Sequence, residues 1–118
     1  MKTSSINISI VIPVYNGGYA FRSCLASIRA SLRPPDEIVV VSDGDTDGSW
    51  QVAGSIGAKV LRLPSPGGPA RAGNIGAKAA TGDIIFLVDA EVTIHTNTLS
   101  VVEQRVKRQP DLAALIGP

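Results

Sequence analysis

Cysteine is nearly absent from this chain, which contains one thiol, Cys24, in 118 residues. A single cysteine cannot form an internal disulfide, so the chain suits a reducing compartment and we expect a cytoplasmic location. The thiol falls at helical spacing with four apolar residues, Phe21, Leu25, Ile28 and Leu32. This pattern predicts that Cys24 lies in the core of the protein.

Long apolar runs and an excess of basic charge are also missing. No apolar run approaches the roughly 20 residues of a membrane span. Lys2 is followed by Thr3-Ser4-Ser5 and an alternating strand pattern, which is not the apolar segment of a signal peptide. Eleven basic residues balance ten acidic ones, giving a net charge of +1. Without a basic patch, nucleic-acid binding has little support.

Several common motifs do not occur. The sequence has no Gly-x-Gly-x-x-Gly, and Gly76-Ala77-Lys78 lacks the Gly-Lys-Ser/Thr run of a P-loop. His95 has no nucleophile or metal ligand near it in sequence, and we interpret it as a surface loop residue. Hydrolase arrangements with serine or cysteine are likewise unsupported.

What the chain does contain is the pattern of a single α/β domain. Hydrophobic residues make up 44% and charged residues 18%, which is typical of a globular protein. Alternating or continuous apolar runs predict strands at residues 6–12, 38–41, 58–63, 84–88 and 112–116. Helical spacing predicts helices at residues 19–32, 49–56, 69–80 and 97–107. The order βαβαβαβαβ predicts a three-layer, Rossmann-like, mostly parallel sheet with helices on both faces.

Three details of this pattern are specific predictions. Pro13 is expected to end the first strand, because proline cannot donate in a central ladder. Pro69 suits the first position of a helix. That helix is predicted to lie close on the sheet through a face of small residues, Ala70, Gly73, Ala77 and Ala80.

Four loops, three of which carry polar or charged groups suited to a ligand, are predicted to meet at one edge of this sheet, because the carboxyl ends of parallel strands gather there. They comprise residues 13–16, 42–48, 64–71 and 89–91. Open α/β sheets bind their ligands at this edge, so the convergence predicts a binding site.

Asp89 and Glu91 follow the most apolar strand, and alternation points both carboxylates the same way. Two like charges at one spot raise each other's pKa unless a cation lies between them. Mg²⁺ or Mn²⁺ suits such oxygen ligands and usually completes its shell with phosphates. The alternative is a solvated strand end. Their position directly after a buried strand favours the metal.

The loop after the second strand carries three carboxylates. Asp43, Asp45, Asp47 and Gly48 match the first half of a calcium loop, but Gly54 stands where that loop needs a glutamate. We interpret Asp47 as a helix cap. Asp43, the first acceptor past the strand, is the predicted ligand contact.

Residues 67–71 (Gly-Gly-Pro-Ala-Arg) combine a flexible loop, a helix N-terminus and one cation. Free backbone N–H groups and the helix dipole make this arrangement a potential anion site. A plain loop with a surface arginine, Arg71, is an equally good interpretation of the residues alone.

Together these motifs resemble the inverting family 2 glycosyltransferases of the GT-A fold. Residues 9–16 are similar to the family's opening strand and Pro-x-Tyr-Asn turn, and residues 38–48 to its Val-Val-Asp-Asp-Gly-Ser-Thr-Asp-Gly segment. Residues 67–83 resemble the Gly-rich loop, the Ala-Arg-Asn-x-Gly helix and the Thr-Gly-Asp turn. Residues 89–91 stand where the family keeps its Asp-x-Asp metal motif. The match covers about residues 9–92, and the set is specific although each piece alone is not.

The resemblance implies a nucleotide-sugar site with two ends. Pro13, Val14 and Tyr15 would line the nucleobase pocket, and Asp43 would accept the imide N–H of the base. Uracil, thymine and guanine all offer that group, so the implied donor is a UDP-, GDP- or dTDP-linked sugar. The acceptor and the sugar stay open.

At the diphosphate end, the resemblance places Asp89 near the ribose and the sugar. Glu91, with Asp89, would hold Mg²⁺ or Mn²⁺ against the diphosphate. Gly73 stands where the family's arginine before Asn74 is expected, and Arg71, two residues earlier, would substitute for that arginine in binding the nucleotide sugar. Glu91 replaces the family's second aspartate and reaches about one methylene further.

Two further departures from the family pattern change the positions of the acidic residues in the loop after the second strand. Ser42 replaces the first acid of the family's Asp-Asp pair, and Asp45 replaces its serine. The residues alone assign no role to Asp45.

Family catalytic domains continue well past this length, with an acceptor-binding half and a carboxylate general base. After Glu91 the remaining acids are Glu103 and Asp111, and neither is placed to deprotonate an acceptor hydroxyl. We therefore expect residues 1–118 to be the truncated, N-terminal nucleotide-sugar-binding part, inactive alone, with the base beyond Pro118. Apolar surface exposed by an incomplete domain would favour self-association. Membrane association of a longer parent protein stays open.

Two other functions stay open on the residues alone. One is a non-catalytic nucleotide-binding module that is complete as it stands. The other, less favoured, is a calcium-binding or interaction domain on the same sheet.

Overall fold

The protein is described from a computed structural model that defines residues 6–109 and the backbone of residues 114–116. The strands are β1 (Ile8–Val14), β2 (Glu37–Asp43), β3 (Lys59–Leu63), β4 (Ile84–Leu87) and β5 (Ala114–Ile116). The helices are α1 (Gly18–Arg29), α2 (Ser49–Ser55), α3 (Pro69–Ala79) and α4 (Thr98–Arg108). Residues 1–5 and the first two residues of the strand predicted at 112–116 lie outside the described residues.

The five strands form one sheet in the order β3-β2-β1-β4-β5, and every neighbouring pair is parallel. The chain moves outward from β1 through β2 to β3, then crosses to the other side of β1 for β4 and β5. The direction of winding therefore reverses beside β1. The crevice between the carboxyl ends of β1 and β4 is a topological switch point, where open α/β sheets bind ligands.

Helices cover both faces of the sheet, which confirms the three-layer α/β architecture. On one face, α1, α2 and α4 pack on alternate side chains of β1, β2 and β4 around the buried Phe21. On the other face, Ala72 of α3 forms a smaller cluster with Val11, Val39 and Val41. The prediction that Cys24 lies in the core is confirmed. The prediction for Leu32 is wrong, because α1 ends at Arg29 and Leu32, beyond the helix, is 73% exposed.

Pro13 lies inside β1 rather than after it, since the strand runs on to Val14 and Pro13 pairs with Val41 of β2. On its other side β1 pairs with β4 only as far as Val11, whose carbonyl accepts the N–H of Val88. Backbone groups two residues apart point to the same side of a strand, so the nitrogen of Pro13 faces the side where the β4 ladder has ended. The missing N–H therefore interrupts no ladder bond.

Helix α3 begins at Pro69, as predicted, and the predicted face of small residues is confirmed in part. Gly73 is buried and Ala80 packs on the cluster beneath the helix, but Ala70 is exposed, and the other buried residues are Ala72 and Gly76. A Cβ on Gly76 would lie 2.5 Å from Cγ1 of Val11 and 2.9 Å from Cγ2 of Val41. This close approach holds the N-terminus of α3 beside the carboxyl ends of β1 and β2.

Candidate functional site

A cleft of about 440 Å³ opens at the carboxyl edge of the sheet, at the switch point beside β1. Six of the seven predicted site residues line it: Pro13, Val14, Tyr15, Asp43, Asp89 and Glu91. They come from the ends of β1, β2 and β4, which the parallel sheet brings together. Pro69, the first residue of α3, also lines the cleft.

Arg71, the seventh predicted residue, does not line this cleft. It lies in the first turn of α3, and its guanidinium covers the backbone of Gly67, where an added Cβ would lie 1.8 Å from Nη1. The side chain is exposed. In this arrangement the arginine covers the Gly-rich loop from outside rather than reaching into the cleft.

Asp43 is the last residue of β2, not a loop residue, and it is 4% exposed. Its two oxygens each accept a 3.0 Å hydrogen bond, Oδ1 from the backbone N–H of Gly67 and Oδ2 from that of Gly68. Each carboxylate oxygen has a second lone pair, so these bonds leave capacity for a further donor. Asp43 thus joins the end of β2 to the start of α3.

The Gly-rich loop also rests on the residue after Asp43. A Cβ added to Gly44 would lie 2.7 Å from both the nitrogen and Cδ of Pro66, and Gly44 has a φ of +85°. Only glycine combines that backbone conformation with so close a neighbour. Gly44 therefore supports the backbone of the Gly-rich loop through its contact with Ser65 and Pro66.

The turn after β1 is tied to the loop after β2 by hydrogen bonds in both directions. Asp45 accepts the N–H of Asn16 through Oδ1 and the hydroxyl of Ser42, at 2.7 Å, through Oδ2. Asn16 returns the contact, because its Oδ1 accepts the N–H groups of Thr46 at 2.8 Å and Asp47 at 3.2 Å. The sequence pattern predicted no role for Asp45.

Asp47 stabilises the start of α2, as predicted, although the N-cap residue is Gly48. Oδ1 accepts the N–H and hydroxyl of Ser49, and Oδ2 accepts the N–H of Gly18 at 3.1 Å. The hydroxyl of Ser49 in particular holds the pKa of Asp47 below its ordinary value. Since the oxygens of Asp45 and Asp47 accept bonds from protein donors, this geometry disfavours a calcium loop.

Asp89 and Glu91 lie in the turn after β4, and both are exposed within the cleft. Helix α1 supports this turn from below. The hydroxyl oxygen of Ser27 accepts the N–H of Ile94 at 3.0 Å, and the thiol of Cys24 points at the carbonyl of Asp89, 3.8 Å away. Burial raises the pKa of Cys24 to about 11, so the thiol is a structural group and not a nucleophile.

The two acids could hold a divalent ion only with help from a ligand. Within the described part of the chain, no third His, Cys, Asp or Glu joins them in a metal-binding cluster. Two exposed carboxylates at the mouth of a cleft fit Mg²⁺ or Mn²⁺, which bind through one or two carboxylates, substrate phosphates and water.

Sequence comparison identifies the family. A model of the family described as "Glycosyl transferase family 2" matches residues 9–117. The chain belongs to this family. A glycosyltransferase of Streptococcus pneumoniae serotype 4, GlyG, is 31% identical over 115 residues, which cover 93% of this chain and 38% of that protein. The chain thus spans well under half the length of this relative.

Solved structures show the same fold. The crystal structure of S. aureus TarS 1-349 in complex with UDP-GlcNAc superimposes with a TM-score of 0.82 and 27% identity, covering 89% of this chain and 32% of TarS. The mannosyltransferase PcManGT from Pyrobaculum calidifontis, in complex with GDP-Man and Mn²⁺, gives a TM-score of 0.73 and 25% identity. It is covered to 31%, and this chain to 83%. The fold is therefore the Rossmann-like GT-A type of this family.

None of the helices in residues 6–109 has the length and apolar character that crossing a membrane requires.

Proposed function

We propose that this chain is the donor-binding part of an inverting glycosyltransferase. It binds a nucleoside-diphosphate sugar, together with Mg²⁺ or Mn²⁺, for transfer of the sugar to an acceptor hydroxyl. The observation that carries the proposal is the convergence of Tyr15, Asp43, Asp89 and Glu91 in one cleft at the switch point of the sheet. Complexes of TarS with UDP-GlcNAc and of PcManGT with GDP-Man support this class of donor.

The nucleoside end lies between β1 and β2. Tyr15 is 56% exposed at the cleft wall, which leaves its ring free to contact a base. Asp43 lies deeper and nearly buried, with its carboxylate held in place by Gly67 and Gly68. A fixed acceptor in a nearly water-free position suits recognition of an imide N–H. A ligand N–H that found no acceptor there would lose its bonds to water without replacement, which costs binding free energy.

The diphosphate end lies at the turn after β4. Asp89 and Glu91 would hold the divalent ion there, and when bound the ion would neutralise charge on the departing nucleoside diphosphate. The chain's own task at this end is to present two carboxylates at a fixed place, which the Ser27–Ile94 bond supports by anchoring the loop to α1. The Mn²⁺ complex of PcManGT favours a divalent metal in this family.

The remaining catalytic group belongs to residues outside those described. The cleft contains Asp43, Asp89 and Glu91 as its acids, and each already has a binding task in this proposal. Attack with inversion needs a further carboxylate near the acceptor hydroxyl. We therefore propose that residues 1–118 bind the donor and do not transfer the sugar alone.

Calorimetric titration tests this proposal. UDP, GDP and dTDP are titrated into the chain with Mn²⁺ and, separately, with EDTA. We expect one of the three to bind in a saturable manner, more tightly in Mn²⁺, because metal and phosphate complete each other's coordination. Absence of binding for all three, in either condition, would contradict the donor-site assignment. Tight binding that Mn²⁺ does not change would contradict the metal assignment alone.

A further inference from the structure

We infer that Asp45 is a positioning residue that holds Tyr15 at the cleft wall without touching the ligand. Asp45 does not line the cleft, whereas Tyr15, Asn16 and Gly17 do. This inference rests on the proposed function, since it assigns Tyr15 to a nucleoside pocket. It concerns a residue at which the chain departs from the family pattern.

The bonds of Asp45 reach the backbone directly after Tyr15. Oδ1 accepts the N–H of Asn16, and Oδ2 accepts the buried hydroxyl of Ser42 at 2.7 Å. Ser42 belongs to β2, which pairs with β1 through Val14. Asp45 therefore joins the rigid sheet to the turn that carries Tyr15.

The loop after β2 holds this turn. Asn16 has a φ of +48°, a left-handed conformation that asparagine adopts more readily than most residues other than glycine. Besides the bond to Asp45, Asn16 Oδ1 accepts two N–H groups of that loop, and the N–H of Gly17 donates to Ser49 Oγ at 3.2 Å.

Among the described residues, the Tyr15 side chain forms no hydrogen bond of its own. It is 56% exposed, and its position follows from the backbone on either side. On the β1 side the sheet fixes Val14, and on the other side the Asp45–Asn16 bond acts together with the bonds of Asn16 Oδ1 to Thr46 and Asp47. Loss of Asp45 would therefore remove the connection from the backbone of Asn16 to Ser42 of the sheet and loosen the position of Tyr15.

A double-mutant cycle tests the route through Tyr15. UDP affinity, or that of whichever nucleotide the wild type prefers, is measured for Tyr15→Ala, Asp45→Ala and the double variant. We expect Asp45→Ala to weaken binding about tenfold, and the double variant to match Tyr15→Ala within about twofold. Additive losses would show that Asp45 acts independently of Tyr15 and would overturn the inference.

The conservative variant Asp45→Asn separates positioning from charge. The amide oxygen can still accept the N–H of Asn16, and the amide nitrogen can donate to Ser42, whose hydroxyl also accepts. We expect Asp45→Asn to bind within about threefold of the wild type. A loss as large as that of Asp45→Ala would overturn the inference, and this comparison remains available if Asp45→Ala does not fold.

Amide hydrogen exchange gives a readout that needs no nucleotide. In the wild type we expect protected N–H groups at Asn16 and Thr46, and about tenfold faster exchange at both in Asp45→Ala. Tyr15→Ala should leave both unchanged. Unprotected wild-type amides at these positions would overturn the inference. If no nucleotide binds, the proposed function fails while the exchange result still decides whether Asp45 holds the turn.

Discussion

Oδ2 of Asp43 lies 3.0 Å from the backbone nitrogen of Gly68, the N-cap residue of α3. This bond joins the residue that we assign to base recognition with the start of α3, whose first residue, Pro69, also lines the cleft. Because Oδ1 holds Gly67 in the same way, the Gly-rich loop takes its position from Asp43.

Gly68→Ala should destabilise the protein by about 1–3 kcal/mol, because φ of +96° with ψ of 156° is open almost only to glycine. Gly67→Ala is the matched control. There the added Cβ meets the flexible end of Arg71, which can move away, so the loss should stay below about 1 kcal/mol. Urea unfolding measures both. Equal losses at the two positions would contradict the described loop conformation.

Gly76→Ala should cost about 1–3 kcal/mol through overpacking, since its Cβ would lie within 3 Å of Val11 and Val41 side chains. Gly54→Ala makes the same change in α2, where nothing lies within 4 Å of the added Cβ. There we expect a gain of about 0.5–1 kcal/mol from lower chain entropy in the unfolded state. Thermal unfolding should shift in opposite directions. A stabilised Gly76→Ala would show that α3 does not lie close on the sheet.

The ionisation of Glu37 should make the free energy of unfolding depend on pH in the acidic range. The N–H of Thr81 donates to its carboxylate at 2.9 Å, and this bond, with those of Ser9 and Lys59, holds the pKa of Glu37 below its ordinary value. A group with a lowered pKa in the folded state stabilises it above the unfolded pKa and loses that effect as the pH falls through the folded value.

The free energy of unfolding should therefore fall as the pH drops below about 4.5, and Glu37→Gln should flatten this dependence. Some slope should remain in the variant, because the pKa of Asp47 is also lowered. Urea unfolding between pH 3 and pH 6, about the ordinary range for carboxyl titration, measures it. An unchanged slope in Glu37→Gln would show that this carboxylate is not selectively stabilised in the folded protein.

The order and type of the elements could be predicted because apolar periodicity reports local burial directly. Pro13 shows the limit of that approach. Whether a proline interrupts a strand depends on which neighbour its nitrogen faces, and the early end of pairing with β4 at Val11 is not visible in a local pattern. The prediction that Leu32 lies on the buried face of α1 was wrong for a related reason, because the apolar spacing continues in the sequence beyond Arg29, where the helix ends.

The cleft itself could be predicted in part. Asp43, Asp89 and Glu91 were found because each stands at or shortly after the carboxyl end of a buried strand, and parallel strands end at one edge. The support given by Asn16 and Asp45 was not found, since a bond between residues 29 apart depends on how two loops meet in space. The Tyr-Asn-Gly-Gly turn at residues 15–18 was the available signal, because such residues favour left-handed turns. The binding role of Arg71 stays a prediction, and its side chain does not line the cleft.

The assignment of a nucleoside end and a metal end is tested most directly by calorimetry. UDP, or the preferred nucleotide, is titrated into the wild type and three variants, each in Mn²⁺ and in EDTA. The variants are Asp43→Ala, Glu91→Ala and, as a matched control, Glu103→Ala on α4, whose carboxylate pairs with Arg33 and Lys107 and does not line the cleft.

Asp43→Ala should weaken binding in both conditions, because the base contact needs no metal. Glu91→Ala should abolish the difference between Mn²⁺ and EDTA and leave the metal-free affinity unchanged, and Glu103→Ala should match the wild type. Equal losses from Asp43→Ala and Glu91→Ala in both conditions would contradict a cleft with a nucleoside end and a metal end.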